Sequence, residues 1–483
     1  MLTRAIFERA ARTPDKLALI GDGVRLSYGD FARRIDGARG VLAPLGLPVD
    51  RVAVLCIHSL TQAWVVGLAL RGLGVTTLAA RSFEDVAALN LANLGCVITT
   101  QAQASSGTRA MAAAAGWALV VLEPSAFAGY AGAPPPALDE RAPPPGGHIL
   151  LTSGTTGSYK KVLIDPASEA GNIPRRSAIF GVSEHSLVNL FDFGGWTSAG
   201  YNMAVCAWGV GGAVAIGQDD NKYRSLAWGE FTHCELHPEM LQALLAGGEG
   251  LAANPAMAMI VISGGLPLAL WEEAKARLTP RIFTCVSSTE TGPFTLTLIE
   301  SADDLRWHRV HPSREVEIVD EAGALAPNGT LGRVRVRLVD QVSGYLDDPL
   351  TSAGFFADGC FYTGDLGVFR ADGRLALHGR VTEVINVLGN KLAAAPIEEA
   401  LRDRFGAQGV CVFSMQGADG GEEVHVAIQS SRVIDQLELA AVLRGHLRGF
   451  ARAHVHFVAQ LPRSPAGKID RLALRRMVMG GAG

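Results

Sequence analysis

Several absences narrow the possibilities before any motif is read. The chain has seven cysteines, with no Cys-x-x-Cys pair and no paired spacing. That leaves no disulfide framework, and the cysteines read as small apolar core residues in a reducing compartment. No stretch reaches the roughly 18 uncharged apolar residues of a membrane span. The most apolar run, around Met203 to Ile216, is broken by glycine and reads as a buried helix turning into a strand. The first residues, Met1-Leu2-Thr3-Arg4-Ala5-Ile6-Phe7-Glu8-Arg9, meet charge too soon for the apolar segment of a signal peptide. An excess of one charge is missing too. Lys and Arg number 43 against 47 Asp and Glu, and the formal net charge of -4 carries no nucleic-acid footprint. The expectation is a cytoplasmic protein with neither membrane nor nucleic acid as partner.

What is present is an ordinary globular composition, 48% hydrophobic and 19% charged over 483 residues, which is too long for one small core. The first part alternates helix-like and strand-like segments. Asp30 to Leu45 and Leu60 to Leu73 have helical spacing, while Arg51 to Ile57, Val97 to Thr100 and Ala118 to Leu122 are short β-rich runs. This rhythm predicts an α/β architecture with partly parallel sheets. A Pro/Gly/Ala-rich stretch, Ala131 to Gly147, reads as an exposed connection. Val316 to Leu338 reads as strand-turn-strand about Asn328-Gly329, and Gly367 to His378 as a hairpin turning at Asp372-Gly373. Beyond Arg380 a small α+β unit is expected. Its strands fall near Val384 to Val387, Val410 to Phe413 and Glu423 to Ile428, and its helices over Pro396 to Phe405 and Ile434 to Leu447.

Three local patterns carry chemistry. The first is Leu151-Thr152-Ser153-Gly154-Thr155-Thr156-Gly157-Ser158-Tyr159-Lys160, following the apolar run from His148. Glycines let a backbone approach an anion, N–H groups and hydroxyls can ring phosphate oxygens, and Lys160 adds a mobile charge. The Gly-Lys-Ser/Thr ending of a Walker A loop is missing. Next, Phe361-Tyr362-Thr363-Gly364-Asp365-Leu366 places a carboxylate at the end of an apolar segment, suited to accepting the two hydroxyls of a ribose. A turn-capping Asp has the same signature. The third is Leu461-Pro462-Arg463-Ser464-Pro465-Ala466-Gly467-Lys468-Ile469-Asp470-Arg471, in which a Pro/Gly-bounded loop carries a lysine that can reach another domain.

In this order, the three resemble the core motifs of the adenylate-forming superfamily: acyl-CoA synthetases, nonribosomal-peptide adenylation domains and firefly-type luciferases. The resemblance runs from about Ala11 to Leu472 and takes in Leu26-Ser27-Tyr28-Gly29-Asp30-Phe31, Gly379-Arg380, Val387-Leu388-Gly389-Asn390-Lys391-Leu392 and Pro396-Ile397-Glu398. It implies a large N-terminal domain, residues 1–379, of mixed sheets with flanking helices and a small barrel-like β subdomain. A mobile α+β domain, residues 380–483, carries the catalytic lysine. It implies that Thr152, Ser153, Gly154, Thr155, Thr156, Gly157 and Lys160 bind ATP phosphates, and that Asp365, assisted by Arg380, binds ribose. Lys468 reaches the α-phosphate, Glu290 holds Mg²⁺ and Thr289 contacts phosphate. Coenzyme A or the phosphopantetheine of a discrete acyl or peptidyl carrier protein is the implied acceptor of a small carboxylic acid's acyl group. No carrier domain follows Leu472 in this sequence, so an external acceptor is expected.

The chain also departs from the family pattern. Val286-Ser287-Ser288-Thr289-Glu290-Thr291 has Val286 in place of the usual adenine-stacking aromatic and Ser287 in place of glycine, while Tyr159 and Lys161 stand where proline and glycine are usual. Two registers compete for the acyl gate, Phe191-Asp192-Phe193-Gly194-Gly195-Trp196-Thr197. One makes Asp192 the partner of a substrate ammonium group. The other puts Trp196-Thr197 where acyl-CoA synthetases carry an aromatic and a histidine, and is preferred because it needs no insertion. Gly264 and Gly265, in Ser263-Gly264-Gly265-Leu266-Pro267, resemble the pocket wall. Two histidine patterns read as packing rather than metal ligation. His233-Cys234-Glu235-Leu236-His237 misplaces its Glu for a zinc helix and runs into Pro238, and His454 and His456 alternate along one face of an expected strand.

Overall fold

A computed structural model describes residues 2–127, 144–153, 159–217, 228–247, 252–339, 342–381, 384–387, 390–416, 422–447, 453–463 and 469–480. The α/β alternation of the first half becomes two large sheets. One has six strands in the order Leu119–Leu122, Leu94–Thr100, Val52–Leu55, Thr76–Ala79, His148–Ser153 and Tyr159–Ile164, parallel except for the last pair. The other has eight, and its parallel centre of Leu17–Gly21, Leu187–Asn189, Ala213–Ile216, His233–Leu236, Ala258–Ile262 and Ile282–Cys285 is edged by an antiparallel strand on each side. Strands such as Val52–Leu55, Ala213–Ile216 and Ala258–Ile262 are buried throughout. That is why they read as continuous apolar runs rather than as alternation.

Helices fill the space between the sheets. Leu60–Gly72 and Ser198–Val210 are buried on nearly every side, and they start at capping residues. The side chain of Ser59 accepts from Gln62 N–H and that of Thr197 from Gly200 N–H. The run read as a helix turning into a strand is Ser198–Val210 followed by Ala213–Ile216, turned by Gly211 at φ 86°. The helix expected from Asp30 begins earlier, at Tyr28, because Ser27 and Asp30 form a reciprocal capping box.

Polar side chains pin this layer. Trp208 Nε1 donates to Ala18 O at 2.7 Å and Tyr28 Oη to Gly212 O at 2.6 Å. At the centre, Arg71 pairs with Glu169 at 2.9 Å, both being almost wholly buried. The Tyr201 hydroxyl accepts from Arg71 at 2.7 Å and donates to Glu169 at 2.5 Å. Arg71 Nε also donates to Gly146 O at 3.0 Å. Most of the stretch expected to be an exposed connection lies outside the described residues, but its last two glycines are buried. A Cβ on Gly146 would lie 2.0 Å from Val75 O, so only glycine fits.

An antiparallel sheet with central strands Gly332–Arg337, Cys360–Phe369 and Arg374–Arg380 supplies the small β subdomain, with both expected hairpins in place. After it come the pair Val384–Val387 and Asn390–Ala393, then a sheet of Gly409–Gln416, Glu422–Gln429 and Ala453–Val458. The helices Ala394–Phe405 and Gln436–His446 back one face of that sheet through a shared apolar core, and Leu474 of Arg471–Gly480 packs on the other. All seven cysteines are buried, and none forms a disulfide. Among the described residues no helix is long and apolar enough to cross a membrane.

Removing one member of a buried ion pair leaves the other uncompensated. Glu169→Ala is therefore expected to lower stability by about 3–5 kcal/mol, read as a loss in unfolding midpoint. An unchanged midpoint would show that Arg71 is solvated in the folded protein.

Candidate active site

The strands His148–Ser153 and Tyr159–Ile164 pair so that Thr152 faces Lys160 and Ser153 faces Tyr159. Gly154, Thr155, Thr156, Gly157 and Ser158 lie outside the described residues. The strand pairing therefore sets Thr152 and Lys160 at the two ends of the hydroxyl-rich loop. Lys160 Nζ stands 3.6 Å from the centre of the Phe355 ring and 4.9 Å from that of Tyr345, a cation–π cradle. Burial lowers its pKa, and the nearby Glu290 carboxylate partly opposes the shift.

Glu290, distant in sequence, is buried beside this lysine and accepts a 2.7 Å hydrogen bond from Tyr345 Oη. The tyrosine's own pKa is raised by burial and by that carboxylate. Thr289 is half-buried in the turn between two short strands, Ser287–Ser288 and Gly292–Pro293, and Ser288 Oγ accepts from Thr291 N–H at 3.1 Å. Val286, the residue in the aromatic's place, packs into the core of the small β subdomain.

Asp365 and Arg380 face each other across adjacent strands and pair at 2.9 Å. Arg380 also donates to Thr363 O at 2.7 Å. Between them Gly364 has φ 78°, and a Cβ there would lie 3.3 Å from Arg380 and 3.7 Å from Phe355. Phe355 thus borders Gly364 as well as Lys160, and the Arg380 charge acts on Lys160. Four of the residues picked out in the sequence, Lys160, Glu290, Asp365 and Arg380, converge on one cluster.

The gate segment is held from behind. Leu151 N donates to Trp196 O at 3.2 Å, and His148 Nε2 lies 2.7 Å from Gly195 O. Because a carbonyl can only accept, Nε2 carries the proton and Nδ1 accepts from Thr77 Oγ1 at 2.9 Å. Burial pushes the pKa of His148 down to about 3, so the ring is neutral. It stacks on Tyr201 with centroids 4.2 Å apart. Leu55, Trp64, Ala79, His148, Trp196 and Tyr201 are among the residues lining a largely apolar cavity of ≈ 450 Å³, counting the space at its mouth. The Trp196 ring folds over Gly194, where a Cβ would lie 2.1 Å from it. Thr197 caps the following helix and donates to Gly194 O at 3.0 Å. Asp192 is exposed, next to Phe191 at φ 49°.

On the wall, Ser263 and Gly264 have φ of 57° and 158°, and a Cβ on Gly265 would lie 3.6 Å from Arg402 of the C-terminal unit. Lys468 lies outside the described residues. Arg463, which bridges to Ile469, is ion-paired with Glu239 at the start of the helix Pro238–Ala246. Preceding it, the His237 ring meets Phe193 of the gate edge-on at 5.0 Å. His233 is held by Thr232 at 2.8 Å and Phe180 O at 3.0 Å. His237 contacts Ile262 O at 3.3 Å, so both histidines are packing residues.

Sequence reading missed Tyr345, His148 and the Arg71–Glu169–Tyr201 network. The Gly344-Tyr345 pair ahead of Asp348-Pro349 marks a turn presenting an aromatic. Nothing local distinguishes Arg71 or His148 from surface or core residues.

The sequence profile of the AMP-binding enzyme family matches residues 6–346. Malpinin synthetase of Mortierella alpina is 24% identical over 97% of this chain, which spans 6% of that protein's length. The 4-chlorobenzoate–CoA ligase of an Arthrobacter species is 25% identical, with 98% of this chain and 95% of the relative covered. ATP-bound MatB from Rhodopseudomonas palustris has the same fold, with a TM-score of 0.83 at 22% identity, covering 99% of this chain and 98% of its own. The amide bond synthetase McbA from Marinactinospora thermotolerans gives 0.82 at 20% identity, with 99% of each chain covered.

Acid should expose the buried imidazole. The folded protein keeps His148 neutral down to pH about 3, whereas an unfolded histidine protonates near about 6.5. Its contribution to stability is thus whole above pH ~6.5 and is lost as pH falls, by up to about 1.4 kcal/mol per pH unit. His308 and His425, both lowered to about 4, act in the same direction. The check is therefore a difference: His148→Gln should flatten the fall in unfolding midpoint between pH 6 and 4, and an identical slope would show His148 already protonated in the fold.

Proposed function

Because the chain belongs to the AMP-binding enzyme family, we propose that it uses ATP to activate a small carboxylic acid as an acyl-adenylate and passes the acyl group to the thiol of coenzyme A or of a discrete carrier protein. The convergence of Lys160, Glu290, Asp365 and Arg380 at the mouth of the hydroxyl-rich loop carries this reading. Those groups supply what a nucleoside triphosphate needs, a cation for phosphate and a carboxylate for ribose.

In the first half-reaction the acid's carboxylate oxygen attacks the α-phosphorus of ATP in line. The new P–O bond forms as the bond to the β-phosphate oxygen breaks, and pyrophosphate leaves. Lys160 faces the phosphates from the loop's exit, with Thr152, Ser153, Gly154, Thr155, Thr156 and Gly157 ringing them and Thr289 contacting one. Asp365 accepts the ribose hydroxyls, oriented by its pairing with Arg380. Lys468 reaches the α-phosphate and the attacking carboxylate, offsetting charge where it develops. Glu290 fits a magnesium ion: Tyr345 occupies one of its oxygens and the other remains for a hard cation that takes few protein ligands. Such an ion would neutralise phosphate charge there.

For the acid, the gate favours an uncharged body. Trp196 and Thr197, with Gly264 and Gly265 on the wall, form the acyl site, and Thr197 is committed to backbone partners rather than to substrate charge. Asp192 is the partner of an ammonium group only in an amino-acid reading. In the second half-reaction the unit from residue 380 to 483 turns about residues near Arg380, with Thr382 at the hinge, and withdraws Lys468 so that a thiol enters past Gly389; its sulfur, losing its proton, attacks the acyl carbonyl carbon, and the thioester forms as the C–O bond to AMP breaks and AMP leaves. Contacts between Arg463 and Glu239 and between Arg306 and Glu399 support a docked unit. Seven buried cysteines without a disulfide among them support a reducing, cytoplasmic setting.

A nitrogen nucleophile is the second reading, favoured by the likeness to an amide bond synthetase. A catalytically silent nucleotide binder is the third. Exchange of labelled pyrophosphate into ATP over a panel of carboxylic acids tests the first half-reaction. Acid-dependent exchange is expected, and its absence with every acid would leave the silent binder. Offering coenzyme A, a phosphopantetheinylated carrier or an amine then identifies the acceptor. Lys468→Ala is expected to lower exchange ~10²–10³-fold with folding intact, and undiminished exchange would remove it from the reaction. Tyr345→Phe loses a hydrogen bond to a charged group, about 1.5–3 kcal/mol, so exchange should fall ~10-fold or more; wild-type rates would mean Glu290 is positioned without it.

A further inference from the structure

The small C-terminal sheet holds a cluster that the proposed chemistry does not use. In its register His425 faces His454 and Ala427 faces His456 on one side, and Phe413 faces His425 on the other. Side chains alternate along a strand, so Glu423, His425, His454 and His456 all project from one face. The sequence showed only the His454-x-His456 alternation of packing residues. Pairing the strands adds a third imidazole and a carboxylate from Glu422–Gln429.

We propose that Glu423, His425 and His454 form a binding site for a divalent transition-metal ion of the zinc class, with His456 as the outer partner that orients His425. A ligand atom from each of the three lies within 4.8 Å of the others. Two ligands about 2.0–2.2 Å from one ion can be up to ~4.4 Å apart, so small side-chain rotations complete the set. His454 Nε2 is buried without a hydrogen-bond partner, although Glu423 Oε2 is only 2.9 Å away. The two ligand atoms thus already stand side by side, as an ion pair without hydrogen-bond geometry. His425 Nδ1 lies 2.9 Å from His456 Nε2, which leaves Nε2 to ligate, the arrangement by which an outer group sets tautomer and ring orientation. Two imidazoles and one carboxylate suit zinc, cobalt or nickel and not magnesium or calcium.

His425 stacks on His454 at 4.7 Å and on His456 at 5.2 Å, and its face is closed by Phe413 at 5.6 Å. Three protein ligands leave the fourth position open to water. Bound there, the ion would clamp Ala453–Val458 to Glu422–Gln429 immediately before Leu461-Pro462-Arg463, the approach to the segment carrying Lys468.

Calorimetric titration of the chelator-stripped, tag-free protein with zinc chloride tests the site, with cobalt chloride absorption as a second readout. One equivalent is expected to bind, with visible cobalt bands of a low-coordinate nitrogen/oxygen site. Glu423→Gln and His454→Gln, both at half-buried positions, should abolish the stoichiometric binding while circular dichroism stays unchanged. His456→Phe should weaken it ~10–100-fold. Zinc should also slow backbone hydrogen exchange over residues 453–463 in the wild type and not in Glu423→Gln. Failure of the wild type to bind, or equal binding by wild type and both Gln variants, overturns the site and leaves a stacked histidine array.

Discussion

A single buried ion pair ties the scaffold to the site. Arg71 and Glu169 lie between the large sheets with almost no exposure, joined by the Tyr201 hydroxyl. Charges taken that far from water must be satisfied together, because either one alone is strongly unfavourable. The pair therefore holds the helices Leu60–Gly72, Pro166–Phe180 and Ser198–Val210 at fixed separations. Arg71 further grips Gly146, the turn that feeds His148–Ser153. Tyr201 stacks on His148, and His148 holds the carbonyl of Gly195 in the gate. The strand His148–Ser153 and the gate segment are thus both hung from one network, and Leu151 shares a backbone bond with Trp196.

The cluster around Lys160 and Glu290 is organised by a different device. Lys160 is partly stripped of water by two aromatic faces, and Glu290 is stripped more completely. Tyr345 serves both, offering its ring to the cation and its hydroxyl to the carboxylate. Aromatic residues therefore raise the electrostatic leverage of a few charges by excluding water around them. At position 286, Val286 packs into the β subdomain's core, in the same cluster as Phe294 and Phe369.

The C-terminal unit repeats the theme of chemistry kept on faces that regular structure assembles. Its apolar core is built by Val410, Val412, Val424 and Val426 against two helices, while the opposite face carries the histidines. Period-two alternation makes this division inevitable once the strands pair. It also means that the side chains nearest the Lys468 segment in sequence share a sheet with the Glu423 cluster.

Much of the architecture was legible in order and composition. Buried parallel strands are continuous apolar runs, and turns carry Gly329 and Gly373. Lys160, Glu290, Asp365 and Arg380 stand in short local motifs, and the structure brings these four together; Lys468 and residues 154–158 lie outside the described residues. Helix starts were misjudged by a residue or two where a capping box, set by side-chain reach, moved the boundary. Tertiary structure alone decided that Arg71 is an ion-pair partner, that His148 is neutral and supports the gate, and that Tyr345 serves Glu290. It alone brought His425 beside His454 and His456. The reason is physical: motif and propensity act over a few residues, whereas desolvation and pairing depend on which distant segments the fold packs against one another.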